Sequence, residues 1–135
     1  MARILVIDDE QYIRTALKEV LEREGFDVST APDGKNGLEL LEKEGADLVI
    51  TDVIMPGIDG VATLERIKTA HPDLPVIVIS GGGNVAPVDY EPGAIATSAY
   101  LASAAKAGAE FTLTKPFNRS ELIGAVTNLL GEEQV

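Results

Sequence analysis

The sequence predicts a single α/β domain: a doubly wound, five-stranded parallel sheet with five helices distributed over both faces. Three observations lead there. Five short apolar runs, rich in β-branched residues, recur along the chain; an amphipathic stretch follows each; and 135 residues suit one hydrophobic core. Strict alternation of strand and helix leaves parallel pairing through helical crossovers as the simplest arrangement.

The runs are ILVI (4–7), DVST (27–30), LVIT (48–51), VIVIS (76–80) and FTLT (111–114). Each has strand length, and their apolar character suits strands covered on both faces. Between them, Ile13, Leu17, Val20 and Leu21 share one helical face, as do Leu38 with Leu41 and Leu64 with Ile67. An Ala-rich helix is expected around 95–107, and a last one carries Leu122, Ile123, Val126 and Leu130 on one side. Asn118, followed three places later by Glu121, is a capping-box pair that marks where that last helix begins.

Charge and composition then narrow the function. The net charge of −11, from 22 acidic and 11 basic residues, repels phosphate backbones and anionic lipid, which argues against nucleic-acid and membrane partners. Without cysteine there is no disulfide, thiolate nucleophile or thiolate metal site. The apolar run at 4–7 is too short for a signal peptide or a membrane span, so a cytoplasmic protein is expected.

Open sheets of this kind bind ligands at the carboxyl ends of their strands, so the residues there matter most. The first run ends in Asp8 and Asp9, the third in Asp52, the fourth in Ser80, and the fifth leads into Lys115. In the order 2-1-3-4-5, strands 1 and 3 are neighbours, and three acids from distant parts of the chain enter one crevice. Like charges that close call for a proton or a cation. Oxygen ligands with no His or Cys beside them suit Mg²⁺, which shares phosphate oxygens with one or two carboxylates and keeps several waters. Asp52 can then attack phosphorus to form an aspartyl phosphate, with Lys115 neutralising charge on the moving group and Ser80 donating a hydrogen bond.

Each of these residues has a plainer reading when taken alone. Asp8 or Asp9 could cap the first helix, Asp52 could be a turn residue before Pro56-Gly57, and Ser80 and Lys115 could simply be polar residues leaving a sheet. Independent turn chemistry gives no reason for all of them to meet at one edge. His71, in AHPDLP, reads as an exposed loop residue, and no catalytic imidazole is assigned.

Taken together, ILVIDDE, LVITDVIMPGIDG, the Ser80 that closes VIVIS, and LTKPF resemble, in order and spacing, the receiver domain of bacterial two-component response regulators. That family has the flavodoxin-like order 2-1-3-4-5 and is itself a type example of it. The resemblance implies that Asp52 is the phosphoacceptor and that Asp8, Asp9, Asp52 and the main-chain carbonyl of Ile54 hold Mg²⁺. It further implies that Lys115 contacts the phosphoryl group, that Ser80 supplies the switching hydroxyl, and that the Lys115–Pro116 bond is cis. A sensor histidine kinase or a histidine phosphotransfer protein is the implied partner, and the chain is expected to act as an acceptor and not as a turnover enzyme.

Two departures from the family pattern stand out. Thr112 occupies the place, three before the lysine, where receivers usually carry an aromatic switch residue, and neighbouring Phe111 is expected to face the other side of its strand. The stretch between Ser80 and Lys115 is also longer than in compact receivers, and GGGNVAPVDYEPGAIA reads as an inserted loop. SGGG followed by AYLASAAKAGAEFTLTKPF resembles a group of stand-alone, chemotaxis-type receivers. The expected organisation is a receiver domain over 1–131, a tail over 132–135 and no output domain. The rivals are a receiver from a hybrid kinase or phosphorelay, an aspartate-nucleophile phosphohydrolase, which would want an acid where Ile54 stands, and a flavin-binding module, whose phosphate would meet carboxylates here.

Overall fold

In the computed structural model, residues 2–52, 60–80, 109–114 and 118–130 are described. They form β1 (Arg3–Ile7), α1 (Gln11–Arg23), β2 (Asp27–Ala31), α2 (Gly34–Glu44), β3 (Leu48–Asp52), α3 (Gly60–Ala70), β4 (Val76–Ser80), β5 (Phe111–Thr114) and α4 (Arg119–Leu130). All five expected strands are present, and every pair is parallel in the order β2-β1-β3-β4-β5. Four of the five expected helices lie among the described residues. The helix expected at 95–107, the loop at 81–93, Ile54, Lys115 and the Lys115–Pro116 bond lie outside them.

Alternation along the strands divides the core in two. Ile4, Val6, Leu48, Ile50, Ile77, Ile79 and Leu113 face one side, where Leu17 and Leu21 of α1 meet Leu122, Ala125 and Val126 of α4. Leu5, Ile7, Ala31, Val49, Val76 and Val78 face the other, covered by Leu41 of α2 and Leu64 and Ile67 of α3. Both faces are therefore sealed, and each buried Leu, Ile or Val contributes about 1.5–3 kcal/mol of burial free energy. The remaining expected face residues, Ile13, Val20, Ile123, Leu130 and Leu38, pack at the margins of these clusters.

Local signals set the helix ends. The capping box forms reciprocally: Glu121 N–H donates to Asn118 Oδ1 at 2.8 Å, and Asn118 N–H donates to Glu121 Oε1 at 2.9 Å. Asp33 caps α2 by accepting from Asn36 N–H at 2.8 Å. α2 also packs unusually close to its neighbours, because a Cβ on Gly34 would overlap Thr63 Oγ1 and one on Gly37 would overlap the Ile7 side chain. These two glycines draw α2 onto α3 and β1 at the end of the sheet that carries the acids.

Candidate functional site

Register explains why the acids meet. Ile7 pairs with Thr51, so the next residue on each strand, Asp8 and Asp52, continues the same row, and Asp9 follows at the turn. One carboxylate oxygen from each of Asp8, Asp9 and Asp52 lies within 4.8 Å of the others. Asp8 and Asp52 are 1% and 3% exposed, while Asp9 faces solvent. The sequence-level juxtaposition of these three residues is present as expected.

The backbone holds Asp8 firmly. Its N–H donates to Ala31 O at 3.1 Å, its Oδ1 accepts from Glu10 N–H at 2.9 Å, and its carbonyl accepts from Arg14 Nη1 at 2.7 Å. Neither Asp8 nor Asp9 is the cap of α1. That position is Glu10, which makes no side-chain cap bond, and the Asp8 carboxylate instead closes a turn two residues ahead. Beside Asp52, buried Thr51 donates its hydroxyl to the Asp52 carbonyl at 3.2 Å.

Ser80 closes β4 in register with Thr114, one row beyond the Asp52–Ile79 pair, which brings its backbone to the same end of the sheet. Phe111 pairs with Ile77 and Thr112 with Val78, residues of the two opposite core clusters. Phe111 therefore faces away from Thr112, as strand alternation requires, and is 39% exposed. Hence the aromatic next door does not stand in for the missing one. His71 lies at the far end of the molecule, with Nε2 3.3 Å from Glu42 Oε2.

The donor set fits a hard divalent cation: three carboxylates on two adjacent strands and a turn, two of them buried, with no nitrogen or sulfur ligand among them. A model of the response regulator receiver domain matches residues 4–91. The chain belongs to the response regulator receiver family. Among curated relatives, this receiver is 38% identical over 131 residues to the DNA-binding transcriptional regulator NtrC of Rhizobium meliloti (strain 1021), covering 97% of this chain and 24% of that protein. It is 35% identical over 130 residues to the transcriptional regulatory protein CpxR of Escherichia coli (strain K12), covering 96% and 50%. The receiver thus spans a quarter to a half of these relatives' length. Of the solved structures, a response regulator receiver domain protein from Clostridium thermocellum superposes with a TM-score of 0.78 at 32% identity, covering 99% of this chain and 98% of that one. A CheY-like receiver domain protein from Methanospirillum hungatei JF-1 gives 0.81 at 28% identity, covering 99% and 97%.

Sequence reasoning missed Arg14. The available signal was geometric: side chains in a helix lean toward its N-terminus, so a long cation in the first turn of α1 reaches back over the end of β1.

Proposed function

We propose that this receiver accepts a phosphoryl group on Asp52 from the phosphohistidine of a sensor kinase or phosphotransfer protein, and that the resulting change of state carries an intracellular signal. The observation behind this reading is the packing of Asp8, Asp9 and Asp52 within 4.8 Å at the end of β1 and β3, in a chain of this family. An Asp52 carboxylate oxygen forms a bond to phosphorus as the nitrogen–phosphorus bond of the donor breaks, and the departing imidazole takes up a proton. Mg²⁺, held by Asp8, Asp9, Asp52 and the Ile54 carbonyl, would supply the charge neutralisation that lets an anionic donor approach an anionic acceptor. Lys115 pairs with the phosphoryl oxygens and the Ser80 hydroxyl donates to them.

Such a domain is an acceptor that turns over only its own phosphoryl group. We read it as acting in the cytoplasm without contacting nucleic acid, a reading supported by its net charge of −11; no described helix is long and apolar enough to cross a membrane. The stand-alone reading suggested by SGGG and the segment after it is kept as part of the proposal. The lengths of NtrC and CpxR favour a second, in which the same site is the input part of a longer regulator.

Intact mass after incubation with acetyl phosphate and Mg²⁺ tests the core of it. One added phosphoryl group is expected, with none on Asp52→Asn and none after chelation. Equal labelling of Asp52→Asn, or labelling indifferent to the metal, would remove the assignment. For the charge argument, a tight, salt-sensitive complex with DNA is the contrary result.

A further inference from the structure

The connection from β1 to α1 is three residues long, and it carries two of the three acids. Asp8 lies one residue past the last pair of the β1–β2 ladder, Ile7 with Ala31. α1 begins behind an N-cap, Glu10, whose side chain makes no cap bond, and the first turn contains no acidic residue. Within the link, Asp8 Oδ1 accepts from the Glu10 N–H at 2.9 Å, and neighbouring elements add to that hold.

Arg14 reaches it twice. Its main-chain N–H donates to the Glu10 carbonyl at 3.1 Å, and its guanidinium donates to the Asp8 carbonyl at 2.7 Å. One residue thus grips the connection at both ends, from a half-buried position on the first turn of the helix. We propose that Arg14 is a positioning residue for the acidic crevice, and that its hold on the Asp8 carbonyl sets the end of β1 against α1 so that Asp8 and Asp9 converge on Asp52. The proposal rests on the metal-assisted reading above, but half of its test does not require a metal.

Removing Arg14 has two opposed effects on a cation in the crevice. Losing a nearby positive charge favours the cation, whereas losing the clip lets its ligands drift. Orientation wins, because the guanidinium is bound to a carbonyl and not to a carboxylate, while groups that orient metal ligands are worth about 10–100-fold in affinity. Lysine keeps the charge and one donor but not the rigid planar fork, so it recovers only part.

The test compares the parent with R14A, R14K and R23A. Arg23 lies on the same helix, exposed and 3.4 Å from Glu19, so R23A removes an equal charge without touching the connection. By Mg²⁺ titration, R14A should bind about ten-fold more weakly, R14K should fall between, and R23A should match the parent. Without metal, R14A should exchange amide hydrogen faster at Glu10 and Ile13, with Ile4 to Ile7 still protected. If R14A matches R23A in both measurements, or binds Mg²⁺ more tightly than the parent, the proposal is overturned. Should R14A fail to fold, R14K decides, and parent-like affinity and exchange in R14K count against the clip. A parent that binds no Mg²⁺ would sink the metal reading instead, and exchange alone would then judge Arg14.

Discussion

The Arg3 guanidinium, at the start of β1, donates to Asp27 and to the Glu44 carbonyl, while its main-chain N–H donates to Asp47 Oδ2 and its carbonyl accepts from the Asp47 N–H; at the same end of the sheet, Lys68 Nζ lies 2.8 Å from both Glu110 Oε2 and the Leu74 carbonyl. At the other end of the same sheet, Asp8 and Asp52 are buried beside Asp9, and the nearby Arg14 bonds a carbonyl and not a carboxylate. The amino ends of the strands use charge to fasten elements together: Glu110 also takes the Val76 N–H at 2.9 Å, completing a junction between α3, β4 and β5. The carboxyl ends gather like charges that repel. A fold tolerates the second arrangement because the apolar rows beneath it hold the strands in register whatever the acids prefer, and such crowding of carboxylates is where a cation and a phosphoryl group find work.

Substitutions at the two ends should therefore separate stability from activity. Asp52→Asn should abolish phosphoryl uptake entirely yet raise metal-free thermal stability, since one of three crowded charges is gone; an unchanged or lower melting temperature would contradict the repulsion argument. Next in size, Mg²⁺ at a hundred times its dissociation constant should stabilise the parent by about 2.7 kcal/mol in urea unfolding, and Asp8→Asn should lose most of that gain. At the opposite end, Lys68→Ala should cost about 1–2 kcal/mol, because it strands the Glu110 carboxylate beside a lysine site that is 14% exposed, while leaving phosphoryl uptake intact. Smallest of all, Asp27→Asn should change stability by about 0.5 kcal/mol or less, since its partner Arg3 sits in solvent at 3.4 Å.

The same contrast governs what could be read from the sequence. The strands and helical faces were legible because they follow from periodicity, and Ile4, Leu17, Ile50 and Val126 are buried as their spacing requires. Asp8, Asp9 and Asp52 were legible because a parallel sheet sends every strand end to one edge, so topology alone brings them together. The Lys68–Glu110 junction was not, since it joins ordinary surface residue types across 42 positions with no pattern to announce it. The plainer reading of Asp8 or Asp9 as the cap of α1 falls away, because Glu10 holds that post and Asp8, two residues before it, is engaged with the Glu10 amide. Glu121 with Asn118 shows the opposite case, where the local rule and the tertiary context agree.

The strand order has a consequence for synthesis. β1 leaves the ribosome first and lies inside the finished sheet; β2 adds to one flank, and β3, β4 and β5 then add in turn to the other, each at an edge already in place. Order of emergence is thus order of assembly, and no strand need be inserted between two others. Two edges wait long for their neighbours: that of β1 until residues 48–52 arrive, and that of β4, VIVIS, until residues 111–114 arrive. A five-residue uncharged β-branched edge is a template for a neighbouring nascent chain. The interval between Ser80 and Phe111 is therefore one window in which an apolar strand edge is open to chaperones and to other copies of the chain.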